Sequence, residues 1–148
     1  LAVNAANTTR TWDTAAIRSG GLVCLVFAIP FSVLAQWAAG RDDGGLAFVF
    51  SLCAVAGFVI GAGVAAWVQT AGLPLAHAVL TASTTYLAAQ AVFVLVKLAR
   101  GDDVNFFAAL FNLMAALFAG AVGGALGMVL QRNGVRPRSQ WDEEGDGR

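Results

Sequence analysis

The positions of acidic residues divide this chain into long apolar blocks and short polar gaps. Four blocks contain no Asp or Glu, and they cover residues 21–39, 46–68, 74–98 and 105–130. Their lengths are close to or above the ~20 residues that an apolar helix needs to cross a hydrocarbon core of about 30 Å. The alternation typical of a membrane barrel strand is absent, and in lipid a helix satisfies its own backbone groups. The pattern predicts an all-α fold, an integral membrane four-helix bundle.

Composition agrees with this class, since 58% hydrophobic and 12% charged residues in a chain of 148 is too apolar for a soluble domain. We predict a flexible cytoplasmic N-terminal tail at 1–19, a helical domain at 20–131 and a flexible cytoplasmic C-terminal tail at 132–148. The first block could instead be a cleaved signal peptide. We favour its retention as a helix because the block continues through Gln36 and Trp37.

The distribution of basic residues predicts the orientation. Four spans place both termini on the same side of the membrane. That side holds Arg10, Arg18, Arg132, Arg136, Arg138 and Arg148, whereas the other holds Arg41, Lys97 and Arg100. Because Lys and Arg concentrate in cytoplasmic segments, both termini are predicted to be cytoplasmic.

The two halves of the chain resemble each other. An Arg-Asp-Asp sequence ending at Asp43 precedes the second span, and Arg100-Gly101-Asp102-Asp103 precedes the fourth. Both of these spans become glycine-rich and end at a glutamine, Gln69 or Gln131, and an offset of 62 places Gly61 on Gly123. This repeat predicts two tandem helical hairpins related by a pseudo-twofold axis along the membrane normal.

Small residues recur at every fourth position in the even-numbered spans. They are Gly57, Gly61 and Ala65 in the second span and Ala116, Gly120 and Gly124 in the fourth, with Gly123 and Gly127 as a neighbouring pair. Small residues let helix backbones approach closely in lipid. We expect the second and fourth spans to cross closely in their cytoplasmic halves. Packing within one chain is the favoured interpretation, and a homodimer interface is the alternative.

Polar side chains concentrate on the third span. At 100° per residue, His77, Thr81, Thr84 and Thr85 share one side, and Ser83, Tyr86, Gln90 and Lys97 lie roughly opposite. The favoured interpretation is structural, since His77 lies near the cytoplasmic end and threonine hydroxyls can bond to their own helix. The sharper hypothesis is a polar cavity for a neutral solute or an anion, lined by His77, Thr81, Thr84 and Asn112.

The acidic gaps suggest a second candidate site. Asp42, Asp43, Asp102 and Asp103 could supply oxygen ligands to Ca²⁺ or Mg²⁺ on one side of the membrane. Aspartate before a helix is more commonly an N-cap, and Arg41 and Arg100 lie beside these carboxylates. We favour caps, and expect neither a metal nor a cofactor.

Catalytic and nucleic-acid-binding patterns are not found in the sequence. We find no Ser-His-Asp set, phosphate loop or metal-ligand cluster in the blocks, and no basic run. We therefore expect the protein not to be an enzyme and not to bind nucleic acid. Within the blocks only His77 and Lys97 are ionisable, which argues against proton-coupled transport because such transport usually needs a buried carboxylate.

Three segments carry a family resemblance: the small-residue run 61–66, the sequence Leu73-Pro74-Leu75-Ala76-His77 opening a span that contains Gln90, and the last span from Asn105 through Gly124. In these features residues 20–130 resemble the YrzE-like group of four-span membrane proteins of Gram-positive, especially actinobacterial, bacteria. The resemblance implies the four-span topology and a bacterial plasma-membrane location. It implies no mechanism.

Taken together, these features predict a non-enzymatic accessory or scaffold protein of the plasma membrane. The bilayer, a second copy or another membrane protein would be its partners. The alternative is a channel or transporter for a small solute or an ion, which would work as an oligomer with a pathway near the third span.

Overall fold

Four long helices make up the fold. A computed structural model describes residues 12–135. Helix α1 spans Thr14–Ala39, α2 spans Gly44–Val68, α3 spans Pro74–Arg100 and α4 spans Phe106–Arg132. Each is long and apolar enough to cross a membrane, which confirms the all-α four-helix prediction.

The helices extend beyond the predicted blocks. Helix α1 starts at Thr14 rather than at residue 21 because the Asp13 carboxylate caps it, accepting the Ala16 N–H at 3.0 Å. The acid-free block marks the apolar length, whereas the helix also includes Arg18, whose long side chain can extend toward the polar side. The parts of the predicted tails at 1–11 and 136–148 lie outside the described residues, and they contain Arg10, Arg136, Arg138 and Arg148.

The connection between α1 and α2 and that between α3 and α4 place the aspartates differently. Asp43 caps α2 by accepting the Leu46 N–H at 3.0 Å, as the cap interpretation expects. Asn105, and not Asp102 or Asp103, caps α4. The reason is spacing, because the helix starts at Phe106 and a cap must immediately precede it.

The helix contacts define a four-membered ring in the order α1, α2, α4, α3, with α2 and α3 also touching across the short diagonal. Helices α1 and α4 do not contact each other. A twofold axis relating the hairpins would require an α1–α4 contact to match the α2–α3 contact. An exact twofold is therefore excluded, whereas the ring order and the contacts within each hairpin are those that the predicted pseudo-twofold arrangement requires.

Gly57 and Gly61 pack against α1 rather than against α4. A methyl group on Gly61 would lie 2.6 Å from the Gly20 carbonyl oxygen and would also overlap Cys24. One on Gly57 would overlap Phe27. The fourfold spacing correctly indicated a close contact, but the partner helix differs from the predicted one.

The predicted close crossing of α2 and α4 is present and uses a different set of glycines. A methyl group on Gly123 would lie 2.9 Å from the Gly63 nitrogen, and one on Gly127 would lie 2.6 Å from the Gly63 oxygen. Gly120 and Gly124, predicted to face α2, instead lie against α3, where added methyl groups would meet those of Ala82 and Ala78. One face of α4 therefore packs on α2 and the adjacent face packs on α3.

The bundle is closed in one half and open in the other. We call the half that contains the starts of α1 and α3 and the ends of α2 and α4 the terminal half, and the opposite one the loop half. In the loop half, α2 has no buried residue before Ala54, α3 has none after Thr85, and α4 has none before Ala116. Glycine and alanine make the close helix contacts of the terminal half, whereas few residues are buried in the loop half.

Candidate functional site

His77 is fully buried at the end of the terminal half, and both of its ring nitrogens are engaged. The backbone N–H of Asp13 donates to Nε2 at 2.9 Å, and Nδ1 lies 2.9 Å from the Leu73 carbonyl oxygen. A neutral imidazole has one donor and one acceptor, so these partners assign the proton to Nδ1. His77 thus joins the start of α1 to the connection that precedes α3.

Asp13 extends this junction to the α2–α3 connection. While one of its carboxylate oxygens caps α1, the other accepts from the backbone N–H of Thr70 at 3.2 Å and from the Thr70 hydroxyl at 3.4 Å. The hydrogen bond from the Ala16 N–H is the main cause of the lowered pKa of Asp13, and the bonds from Thr70 lower it further against the opposing effect of partial burial.

Trp12 covers the histidine from the outside. Its ring centroid lies 5.2 Å from that of His77, and the two planes are tilted by 53°. Trp12 itself is 52% exposed, whereas His77 is fully buried. The segment before α1 therefore acts as a cover over the imidazole.

Gln69, which caps the end of α2, and Gln131, in the last turn of α4, also meet here. The Gln131 amide nitrogen donates to the Trp67 carbonyl oxygen at 2.9 Å and to that of Gln69 at 3.2 Å. The Gln69 amide oxygen accepts from the Leu73 N–H at 3.2 Å, and the carbonyl oxygen of the same Leu73 is the partner of His77 Nδ1.

These bonds form one connected set, which we call the terminal polar cluster. Its hydrogen-bonded members are Asp13, Gln69, Thr70, His77 and Gln131 together with the Leu73 backbone, and Trp12 belongs to it through its ring contact with His77. It ties all four helices at one end. Its side-chain amides and imidazole are hydrogen-bonded to protein groups of different helices. The cluster therefore acts as a clamp that holds the helix ends together.

The predicted polar cavity does not form. Thr84 is exposed and its hydroxyl donates to the Leu80 carbonyl oxygen at 2.6 Å, while Asn112 is exposed in the loop half. Because α3 and α4 are antiparallel, Asn112 is level with Gln90 and lies roughly 18–20 Å along the bundle from His77. His77 and Thr81 are both fully buried, and the Thr81 hydroxyl is the one buried side-chain oxygen without a partner in residues 12–135.

The four aspartates of the loop half do not come together as a metal site. Asp43 caps α2, and Asp42 has a φ of 58° in the turn before it. Near Asp102, the Asp103 carbonyl accepts from the Lys97 ammonium at 3.2 Å. Across the described part of the chain, no three His, Cys, Asp or Glu side chains are grouped as metal ligands.

Sequence reasoning missed Trp12, Asp13 and Thr70, because they lie outside the apolar blocks. An Asp directly before Thr14-Ala15-Ala16 is an N-cap signal that could have located the start of α1. Comparisons with protein-family models, curated proteins and solved structures give no match for the chain.

Proposed function

We propose that the chain is a non-enzymatic accessory or scaffold protein of the bacterial plasma membrane, which holds another transmembrane helix against the loop half of α4. The terminal half, with both termini, would face the cytoplasm. The observation that carries this proposal is the exposed amide of Asn112.

Asn112 lies about 9 Å along α4 from its first residue, Phe106, at a depth where hydrocarbon surrounds the helix. A carboxamide without a hydrogen-bond partner in an apolar medium costs several kcal/mol, on the order of 2–7. Ala108 and Ala115, which lie one turn to either side, are small enough to let a partner backbone approach. A hydrogen bond from a partner helix would satisfy the amide.

The contacts in the terminal half favour a scaffold function rather than a solute pathway. There the imidazole and the two glutamine amides are hydrogen-bonded to other groups of the protein, and contacts between glycine and alanine leave little space between the helices. One observation favours the alternative of an oligomeric pathway: Gln90, half-buried, lies level with Asn112 in the open loop half. Several copies could place these amides along a shared path.

Replacing the amide tests the proposal. We expect the wild-type protein, extracted from native membranes in a mild detergent, to sediment as a complex with one other polypeptide, and Asn112→Leu to lose that polypeptide. Gln36→Leu is the matched control, because it makes the same kind of change at another exposed amide of the loop half. Equal complexes for both variants, or a wild type that is always monomeric, would refute the proposal.

Flux measurements separate the two functions. Reconstituted into liposomes, a scaffold is expected to leave ion and small-solute leakage at the level of empty vesicles. Leakage that depends on protein and falls with Asn112→Leu would instead establish the oligomeric pathway.

A further inference from the structure

A cleft lies at the membrane edge between the start of α3 and the end of α4. Its outer part has a volume of about 450 Å³ and is lined by Gly72, Pro74, Met128, Gln131 and Arg132. An adjoining part of about 410 Å³ shares Gly72, Pro74 and Met128 with the first. Its further lining residues are apolar: Leu73, Leu75, Ala76 and Val79. We call the two parts together the α3–α4 cleft.

The charge of this cleft has one sign. Among residues 12–135, Arg132 is the one charged residue that lines it, and it is exposed. The other polar side chain, that of Gln131, already donates to the carbonyls of Trp67 and Gln69. The cleft therefore offers an incoming molecule one guanidinium and an apolar wall.

The cation and the apolar wall lie at different depths. Met128 is one turn before Arg132, about 6 Å deeper along α4, and Val79 lies roughly 8 Å inside the start of α3. The guanidinium is thus at the polar edge, while the wall continues toward the hydrocarbon. A molecule that matches both parts has an anionic head and an aliphatic chain.

We propose that the α3–α4 cleft binds an anionic phospholipid, with the phosphate against Arg132 and an acyl chain along Leu75, Val79 and Met128. Arginine suits this role because its planar fork can donate two hydrogen bonds to phosphate oxygens. The first turn of α3 has no side-chain cap, so its dipole adds positive potential on the same side. The bilayer supplies this ligand at high local concentration.

Lipid titration of the full-length, delipidated protein in neutral detergent tests the assignment. Phosphatidylglycerol is expected to raise the melting temperature and to remain bound in native mass spectra, whereas phosphatidylcholine and soluble glycerol phosphate are not. Arg132→Gln should weaken apparent phosphatidylglycerol binding about fivefold, as expected for one basic residue beside an anionic headgroup. Arg18→Gln, which removes an exposed cation on α1 outside the cleft, should leave binding unchanged.

Filling the cleft gives an independent test. Met128→Trp should abolish lipid retention, and its melting temperature in lipid-free detergent reports whether the bundle still folds. If Met128→Trp unfolds the bundle, Arg132→Gln decides the matter. Equal binding by Arg132→Gln and Arg18→Gln, equal stabilisation by the two phospholipids, or binding of glycerol phosphate alone would overturn the proposal.

Discussion

Single glycines determine how closely the helices pack. Gly61 and Gly123 lie where a neighbouring backbone occupies the position that a Cβ atom would take. Sequence spacing identified both as packing positions, since small residues at fourfold intervals are typical of membrane helix contacts. It could not assign their partners, because the direction in which a glycine faces depends on where the other helices lie. Helical periodicity grouped His77 with Thr81 on one side of the third span without determining whether that side is buried, and it did not identify Asp13, whose role depends on contacts with a distant connection.

Gly61→Ala is expected to destabilise the protein by about 1–3 kcal/mol, the usual cost of overpacking a close contact. The added methyl group would lie 2.6 Å from the Gly20 carbonyl oxygen, and backbone cannot move as easily as a flexible side chain. Thermal unfolding in detergent measures the change. Gly44→Ala is the control, because nothing lies within 4 Å of the added atom. Equal melting temperatures for the two variants would contradict the packing described for α1 and α2.

Asp13→Ala is expected to cost about 1 kcal/mol at neutral pH, the typical loss for an N-cap. Hydrogen bonds lower the pKa of Asp13 in the folded protein, so its stabilisation is present above the ordinary value of 3.8 and is lost as the pH falls through the lowered pKa. The melting temperatures of wild type and variant should therefore converge in acid. Asp102→Ala, which removes a carboxylate that caps no helix, is the control and should change stability little. A difference in melting temperature between wild type and Asp13→Ala that stays constant at every pH would contradict this account.

The helix ends show what the chain could predict about its elements. The apolar blocks located all four helices because length and hydrophobicity suffice in lipid. The boundaries differ because the helices also include polar residues such as Arg18 and Arg132, while the caps Asp13 and Asn105 determine where α1 and α4 begin. Both glycine-rich spans end in glutamine, as the repeat predicts, and these two glutamines meet across the α2–α4 contact.

Gln131→Leu is expected to destabilise the bundle by about 1–3 kcal/mol, because the carbonyls of Trp67 and Gln69 would lose their donor. Thermal unfolding of the purified protein checks this expectation. Gln36→Leu provides the same substitution at an exposed site and should change stability little. If the two variants unfold at the same temperature, the terminal polar cluster is not a clamp.

At the scale of the molecule, four consecutive helices place residues 12 and 135 at the same end of the bundle, and so on the same side of a membrane that all four would cross. The excess of Arg in the terminal segments predicts that this side is cytoplasmic. Two hairpins and the predicted α2–α4 crossing together give the observed order of helices in the ring, but they do not determine which diagonal pair of helices touches. The contact between α2 and α3 without one between α1 and α4 is a property of the assembled bundle.

Cysteine labelling tests the orientation. In a background carrying Cys24→Ala and Cys53→Ala, an impermeant maleimide added to intact cells should label Asp102→Cys. It should label Asn133→Cys only after permeabilisation. The reverse pattern would invert the topology, and labelling of both in intact cells would contradict a four-span arrangement.

Photo-crosslinking from α4 in native membranes tests the central claim most directly. A benzophenone amino acid at position 112 is expected to yield an adduct with one polypeptide, whereas the same group at position 126, where Leu126 is 54% exposed, should react mainly with lipid. An adduct of the chain with itself at position 112 would identify a second copy as the partner helix. Lipid adducts alone at both positions would contradict the proposal that the loop half of α4 holds a partner.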